Sequence, residues 1–217
     1  GSIAENLKSK LFSFIWVPWE EIEEYIAKSD SILIGPGFLR YHSEKSYPKT
    51  KYEDCDQACQ ISRSITQDLL EKFPDKKWVI DAGSLQTMEA DWIPQNAILT
   101  PNKKEFKYLF GEMDPQEAVR KYNCILVIKG PTTFVYSKDE IVEINGGNAG
   151  MTKGGTGDTQ AGLTASLLAK NEPLLAATAA AYITKKAAEK LSETKGIYFN
   201  ADDLANVIPE VLASEVK

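Results

Sequence analysis

The chain is poor in the residues that advertise metal and redox chemistry: its 217 residues include one histidine, His42, and three cysteines, Cys55, Cys59 and Cys124. His42 falls in a polar, irregular stretch with no partner at a useful spacing, so it reads as a surface residue and not as a catalyst. A single C-x-x-x-C pair with no second pair lacks the spacing of a zinc site. Reduced thiols in a cytoplasm fit this usage, with Cys55 and Cys59, one helical turn apart, as packing residues. No apolar run reaches the roughly eighteen residues of a membrane-spanning helix, and the charged start, Glu5 to Lys10, is not followed by a signal-peptide core. No membrane partner is expected. Lysine and arginine are not clustered, and a formal charge of −6 with a pI near 5.0 argues against a nucleic-acid partner. A small anionic ligand remains compatible, because a few N–H groups and one or two lysines decide that locally. Repeats, linkers and low-complexity tails are absent as well. What remains, 43% hydrophobic and 26% charged, suffices for one sizeable core, so a single domain over 1–217 is the expectation.

Four short apolar runs predict buried strands: Ser31 to Ile34, Trp78 to Ile80, Ala97 to Leu99 and Ile125 to Ile128. Each delivers a distinctive segment at its carboxyl end, namely Gly35-Pro36-Gly37, Asp81-Ala82-Gly83, Thr100-Pro101-Asn102 and Lys129-Gly130. Helical patterns between them imply parallel crossovers, and in such sheets ligands bind outside the strands' carboxyl ends. Asn102 with Glu105 predicts a capping box for a helix over 103–110, and Asp114-Pro115 opens another that ends near Asn123. A further apolar run, Phe12 to Val17, reads as a strand before an amphipathic helix through Trp19, Ile22 and Ile26, and Ala58 to Leu69 reads as the next helix. Tyr41 to Tyr52 reads as a surface loop or lid. Thr133 to Tyr136 and Ile141 to Ile144 form a predicted hairpin about Lys138-Asp139. Helices over 156–168 and 174–191 follow, the second with alanines for close approach. A last helix over 202–214 is expected to be interrupted or kinked at Pro209.

The densest signal is the glycine-rich stretch Asn148 to Asp158, which runs straight into a predicted helix. Glycine permits positive φ and close backbone approach, and the first N–H groups of a helix lack partners, so such a loop cradles an anion. Asp158 at its mouth suits the removal of a proton from a hydroxyl that attacks phosphate; the alternative is a carboxylate that caps the helix. Similar pairs of readings stand elsewhere. Lys129 and Lys153 are phosphate contacts or solvated ends, Asn102 is a ligand contact or an N-cap, and Asp81 positions a ligand hydroxyl or metal or else satisfies a turn.

Taken in order, Gly35-Pro36-Gly37, Val79-Ile80-Asp81-Ala82, Leu99-Thr100-Pro101-Asn102 with Glu105-Phe106, Ile128-Lys129-Gly130-Pro131-Thr132-Thr133 and Asn148 to Asp158 resemble the ADP/ATP-dependent NAD(P)H-hydrate dehydratases. The resemblance runs from about Ala4 to the end. It implies an α/β domain of ribokinase-like fold, with a mostly parallel sheet, helices on both faces and a late hairpin. The implied reaction is repair of hydrated NADH or NADPH: ADP or ATP phosphorylates the ring hydroxyl and phosphate is then eliminated. On that basis Asp158 is the catalytic base and also touches substrate, as do Gly37 and Asn102. Lys129, Gly130, Pro131, Thr132 and Thr133 form the nucleotide segment, and Gly154, Gly155, Thr156 and Gly157 receive the phosphoryl group. Mg²⁺ bridges phosphates while keeping most of its waters, so no protein cage for a metal is expected. A homo-oligomer is also implied. Two departures stand out. Asn102 occupies the place of the family's usual histidine and can hydrogen-bond but not carry a proton near neutral pH. The chain also begins after the family's usual first strand and helix. The rival readings are a kinase of the same fold acting on a vitamin precursor or sugar, and a catalytically silent nucleotide-binding protein.

Overall fold

The computed structural model describes residues 15–39 and 57–215. After a 3₁₀ turn, Trp19–Glu21, the elements run α1 (Ile22–Lys28), β1 (Ser31–Ile34), α2 (Gln57–Lys72), β2 (Lys77–Ile80), α3 (Ala82–Thr87), a second 3₁₀ turn (Ala90–Trp92), β3 (Ile98–Leu99), α4 (Lys103–Phe110) and α5 (Pro115–Tyr122). The chain continues through β4 (Ile125–Ile128), β5 (Thr133–Tyr136), β6 (Ile141–Ile144), a third 3₁₀ turn (Ala149–Thr152), α6 (Thr156–Leu168), α7 (Pro173–Lys195) and α8 (Ala201–Glu215). The six strands form one sheet in sequential order. β1 to β4 are parallel, and β5 and β6 return antiparallel as the hairpin.

Past Ser31 and Lys77, which open β1 and β2, the parallel runs are apolar, and alternation along the strands explains why. Trp78, Ile80, Leu99 and Leu126 face one cluster, which buries Leu70, Leu85, Phe106, Phe110 and Val119 from α2 to α5. Val79, Ile98, Ile125 and Val127 face the other, with Ala161 and Leu168 of α6 and Ala176, Ala177 and Ala181 of α7. Successive side chains point to opposite faces, so a strand covered on both sides cannot spare a polar position. α8 adds an outer layer, burying Leu204, Ile208 and Val211 against Ile183, Ala187 and Leu191 of α7.

The local signals perform as their chemistry dictates. Asn102 Oδ1 accepts from the N–H groups of Lys104 and Glu105 at 2.8 and 2.9 Å, and Glu105 accepts from Asn102 N–H at 2.8 Å, completing the capping box. Asp114 caps α5, and Ser137 N–H bonds Glu140 C=O at 2.9 Å to close the hairpin about Lys138 and Asp139. Three expectations need correction. Residues 15–17 of the first apolar run form no strand; Pro18 removes a donor there, and Ile15 and Trp16 are exposed. α8 passes through Pro209 without interruption, held by Leu204, Ile208 and Val211 on its buried face. Cys59, expected as a reduced packing residue, is disulfide-bonded. Cys124 is free and buried, and desolvation pushes its thiol up to about 12, which leaves it inert. The predicted loop at Tyr41 to Tyr52, with His42, lies outside the described residues, as does Cys55.

The ends of β1 and β2 approach each other closely. Gly35 has φ of +113°, and a Cβ placed there would lie 1.8 Å from the carbonyl oxygen of Asp81. Gly35→Ala therefore meets both backbone strain and a fixed neighbour, and it should destabilise the fold by about 2 kcal/mol or more. The urea unfolding midpoint measures this; an unchanged midpoint would show that the two strand ends separate at little cost.

Candidate functional site

The parallel register brings the carboxyl ends of β1, β2 and β3 level, with Ile34 beside Ile80 and Ile80 beside Leu99, while β4 runs on to Ile128. Past these ends the chain must turn. Ala82 takes φ of +47°, a conformation that costs an alanine about 1 kcal/mol or more, and it leaves Asp81 at the sheet's rim. Asp81 is 1% exposed and makes no side-chain cap to α3. Its carboxylate accepts instead from Lys129 Nζ at 2.7 Å, so the lysine after β4 reaches past β3 to the end of β2. Lys129 is also paired with Asn102 in an isolated parallel bridge, and its N–H bonds Pro101 C=O at 2.9 Å.

The other wall is the glycine loop. Gly146 and Gly147 have φ of +101° and +74°. Asn148 Oδ1 accepts from Gly150 N–H at 2.9 Å, while its Nδ2 donates to Ala188 C=O of α7 at 2.7 Å. Thr156 Oγ1 donates to the carbonyls of Met151 and Lys153 at 2.6 and 2.8 Å, which folds the loop back on the start of α6. Gly155, with φ of +88°, is the N-cap of α6 and offers no side-chain acceptor. Thr156 N–H turns back to Lys153 C=O at 3.4 Å, and the next first-turn N–H groups of α6, those of Gly157 and Asp158, are left for a ligand.

Between these walls lies a cavity of about 620 Å³, within the range of small-molecule sites. Lys129, Gly130, Pro131 and Thr133 line one side; Gly146 to Ala149, Thr156 and Gly157 line the other, with Asn102 at the edge. Lys129 Nζ lies 3.4 Å from where a Cβ on Gly157 would stand, so an ammonium and a helix N-terminus face the same space. Such a pairing suits a phosphate group.

The remaining sequence-predicted residues fall outside the lining. Thr132 turns its hydroxyl to Asn145 at 2.9 Å, and Gly37 follows β1 with φ of +80°. Gly154, Gly155 and Asp158 stand beside the cavity, at and just before the first turn of α6. Asp158 is exposed and, among the described residues, has no hydrogen bond or ion pair; with Gly155 as N-cap, it is not the capping acid. Lys153, open as a phosphate contact on sequence alone, is committed elsewhere: its ammonium donates to the carbonyls of Ile197 and Phe199 and sits 5.4 Å over the Phe199 ring.

Two lining residues escape sequence reasoning. Gln160 is 5% exposed, and its Nε2 is buried without a partner. Lys185, on α7, is 4% exposed and reaches the cavity from below. The available signal for Lys185 was its helical position: Ala181 and Ala188, four residues before and three after, put it on the buried alanine face. Among the described residues, no group of three or more histidine, cysteine, aspartate or glutamate side chains is placed to hold a metal ion.

Comparison with known proteins bears on the family and the fold. The family model for NAD(P)H-hydrate dehydratase matches residues 16–210. The bifunctional NAD(P)H-hydrate repair enzyme Nnr of Methanocaldococcus jannaschii is 35% identical over 153 residues, which cover 70% of this chain and 30% of that protein. The ADP-dependent (S)-NAD(P)H-hydrate dehydratase of Cenarchaeum symbiosum is 34% identical over 150 residues, covering 64% of this chain and 52% of that one. This chain thus spans between about a third and a half of these relatives' lengths. Among solved structures, a ribokinase-like superfamily protein of Enterococcus faecalis superposes with a TM-score of 0.72 at 21% identity, over 91% of this chain and 69% of its own. The fold is ribokinase-like.

Breaking the rim pair gives a direct stability test. Lys129→Met leaves the Asp81 carboxylate buried and unpaired, which should cost about 3 kcal/mol in chemical denaturation. Adding Asp81→Asn should recover part of that loss. A cost below about 1 kcal/mol would mean that the pair behaves as an exposed one.

Proposed function

We propose, from the premise that this chain belongs to the NAD(P)H-hydrate dehydratase family, that it restores hydrated NADH or NADPH by nucleotide-dependent dehydration. The observation that carries the reading is the meeting of Lys129, held by Asp81, with the uncapped N-terminus of α6 across one cavity. ADP or ATP occupies that cavity along Lys129 to Thr133, with its terminal phosphate toward Gly155, Thr156 and Gly157. The N–H groups there stabilise the charge that spreads over the phosphoryl oxygens during transfer. Asp158, exposed and unpartnered at the third position of the helix, takes the proton of the ring hydroxyl as its oxygen bonds to phosphorus and the bond to the departing nucleotide breaks. Phosphate then leaves with the electron pair of its bond to the ring carbon while the neighbouring ring carbon gives up a proton to water, which restores the double bond. Asn102 stands at the rim, where its amide holds the hydrated dinucleotide without exchanging a proton with it.

The donor set fits a magnesium ion held chiefly by phosphates and water. Asp81 is engaged by Lys129, so Asp158 is the free carboxylate beside the helix end. The ion would neutralise charge between the phosphates, and the chain's own contribution is to place its N–H groups and Asp158 around them. A cytoplasmic setting and assembly into a homo-oligomer complete the proposal; among the described residues no helix is long and apolar enough to cross a membrane.

Incubation with hydrated NADH, Mg²⁺ and either ADP or ATP should restore the dihydronicotinamide absorbance; no recovery with either nucleotide would overturn the reading. Phosphorylation that stops before the ring is restored would point instead to a kinase. Asp158→Asn should lower turnover by about 10²-fold or more with nucleotide affinity nearly unchanged. An unaltered rate would remove Asp158 from the chemistry.

A further inference from the structure

Lys185 is a nearly buried ammonium with, among the described residues, no carboxylate in contact. Its Nζ donates to three backbone carbonyls, Pro131 at 2.6 Å, Gly146 at 3.0 Å and Gly130 at 3.3 Å. Gly130 and Pro131 belong to one wall of the cavity and Gly146 to the other. One turn further along α7, Glu189 accepts from Gly147 N–H at 3.0 Å. The C=O of Gly146 and the N–H of Gly147 are two ends of a single peptide group, so α7 grips that peptide from both sides, with a cation on its oxygen and an anion on its nitrogen. The two glycines are needed for the grip: a Cβ on Gly146 would lie 2.2 Å from Glu189 Oε1, and one on Gly147 would lie 3.3 Å from Lys185 Cγ.

An ammonium has three N–H bonds, and three carbonyls take them here. Lys185 therefore has no donor left for a ligand, yet its charge stands at the floor of a cavity that it lines. The other ammonium at the cavity, Lys129, has its charge offset by Asp81 at 2.7 Å. Glu189 shares its charge with Lys186 at 3.1 Å and with Gly147 N–H. Desolvation draws the Lys185 ammonium below the ordinary lysine value, and the Glu189 carboxylate, near but not in contact, offsets part of that shift.

We propose that Lys185 is a positioning residue of the nucleotide site, joining its two walls through the carbonyls of Gly130, Pro131 and Gly146 and supplying the fixed positive charge that selects a polyphosphate. The inference rests on the nucleotide half of the function proposed above. It assigns discrimination between ligands of different charge to a residue that touches none of them. A field from a fixed charge scales with the charge of the ligand, whereas a purely structural strut affects all ligands of one shape alike.

Isothermal titration of the full chain with adenosine, AMP and ADP, each with Mg²⁺, separates these possibilities. In Lys185→Met the affinity for ADP should fall about tenfold or more, that for AMP less, and that for adenosine little. Lys185→Gln keeps amide donors for the carbonyls but no charge, and it should show the same loss of ADP-over-adenosine preference; it carries the test should the methionine variant not fold. Equal losses for all three ligands, or an unchanged ADP preference, would overturn the assignment while leaving the proposed function standing. Failure of the unmodified chain to bind ADP or ATP at all would overturn both.

Discussion

The contact between Asp81 and Lys129 is the constraint on which the sheet's working edge depends. A carboxylate sealed from water at the end of β2 requires a cation, and the cation comes from the end of β4, past the intervening β3. Taking two charges out of water is costly, and geometry has to repay it. The repayment is visible in what surrounds the pair. Gly35 lets β1 press against the backbone of Asp81, Ala82 accepts a left-handed turn, and Pro101 C=O fixes the backbone of Lys129. The result is an ammonium whose direction is set by the fold before any ligand arrives.

Opposite that edge, α7 serves the glycine loop as scaffold. Its small residues permit close packing on the sheet, and that closeness lets longer side chains from the same helix reach the loop backbone. Lys185, Glu189 and the Ala188 carbonyl fasten Gly146, Gly147 and Asn148 in turn. Glycines that read from sequence as freedom are, in the fold, places where another element comes too near for a Cβ. The loop is permissive in composition and fixed in position.

How much of this is legible in the sequence follows from the range of the interactions involved. The parallel strands, the capping box at Asn102 and the hairpin about Lys138 rest on contacts within a few residues or on simple alternation, and each reads directly. The motifs at the strand ends could be ordered, and much of the cavity lining is among them. The pairing of Asp81 with Lys129 spans 48 residues, and that of Lys185 with Pro131 spans 54; no local pattern contains either. Lys153 misleads for the same reason, because its acceptors lie in the turn before α8. Pro209 breaks a local rule that burial overrides, and the Cys59 disulfide contradicts a reading based on cysteine count alone.

Net charge poses a final question, since a chain at −6 repels a polyphosphate at long range. Salt confines that repulsion to about 8–10 Å, so binding is decided by the groups inside the cavity and not by the total. Lys129 does not tip that local balance by itself, because Asp81 offsets it. The α6 N-terminus contributes a partial positive charge, partly opposed by Asp158 in the same turn. The one full positive charge at the cavity without a carboxylate in contact, among the described residues, is Lys185. An acidic protein can hold a polyanion if it buries one cation among carbonyl dipoles, which stabilise the ammonium without neutralising it as a carboxylate would. That arrangement keeps the exposed surface acidic and places the attraction where the proposed nucleotide site would hold its phosphate chain.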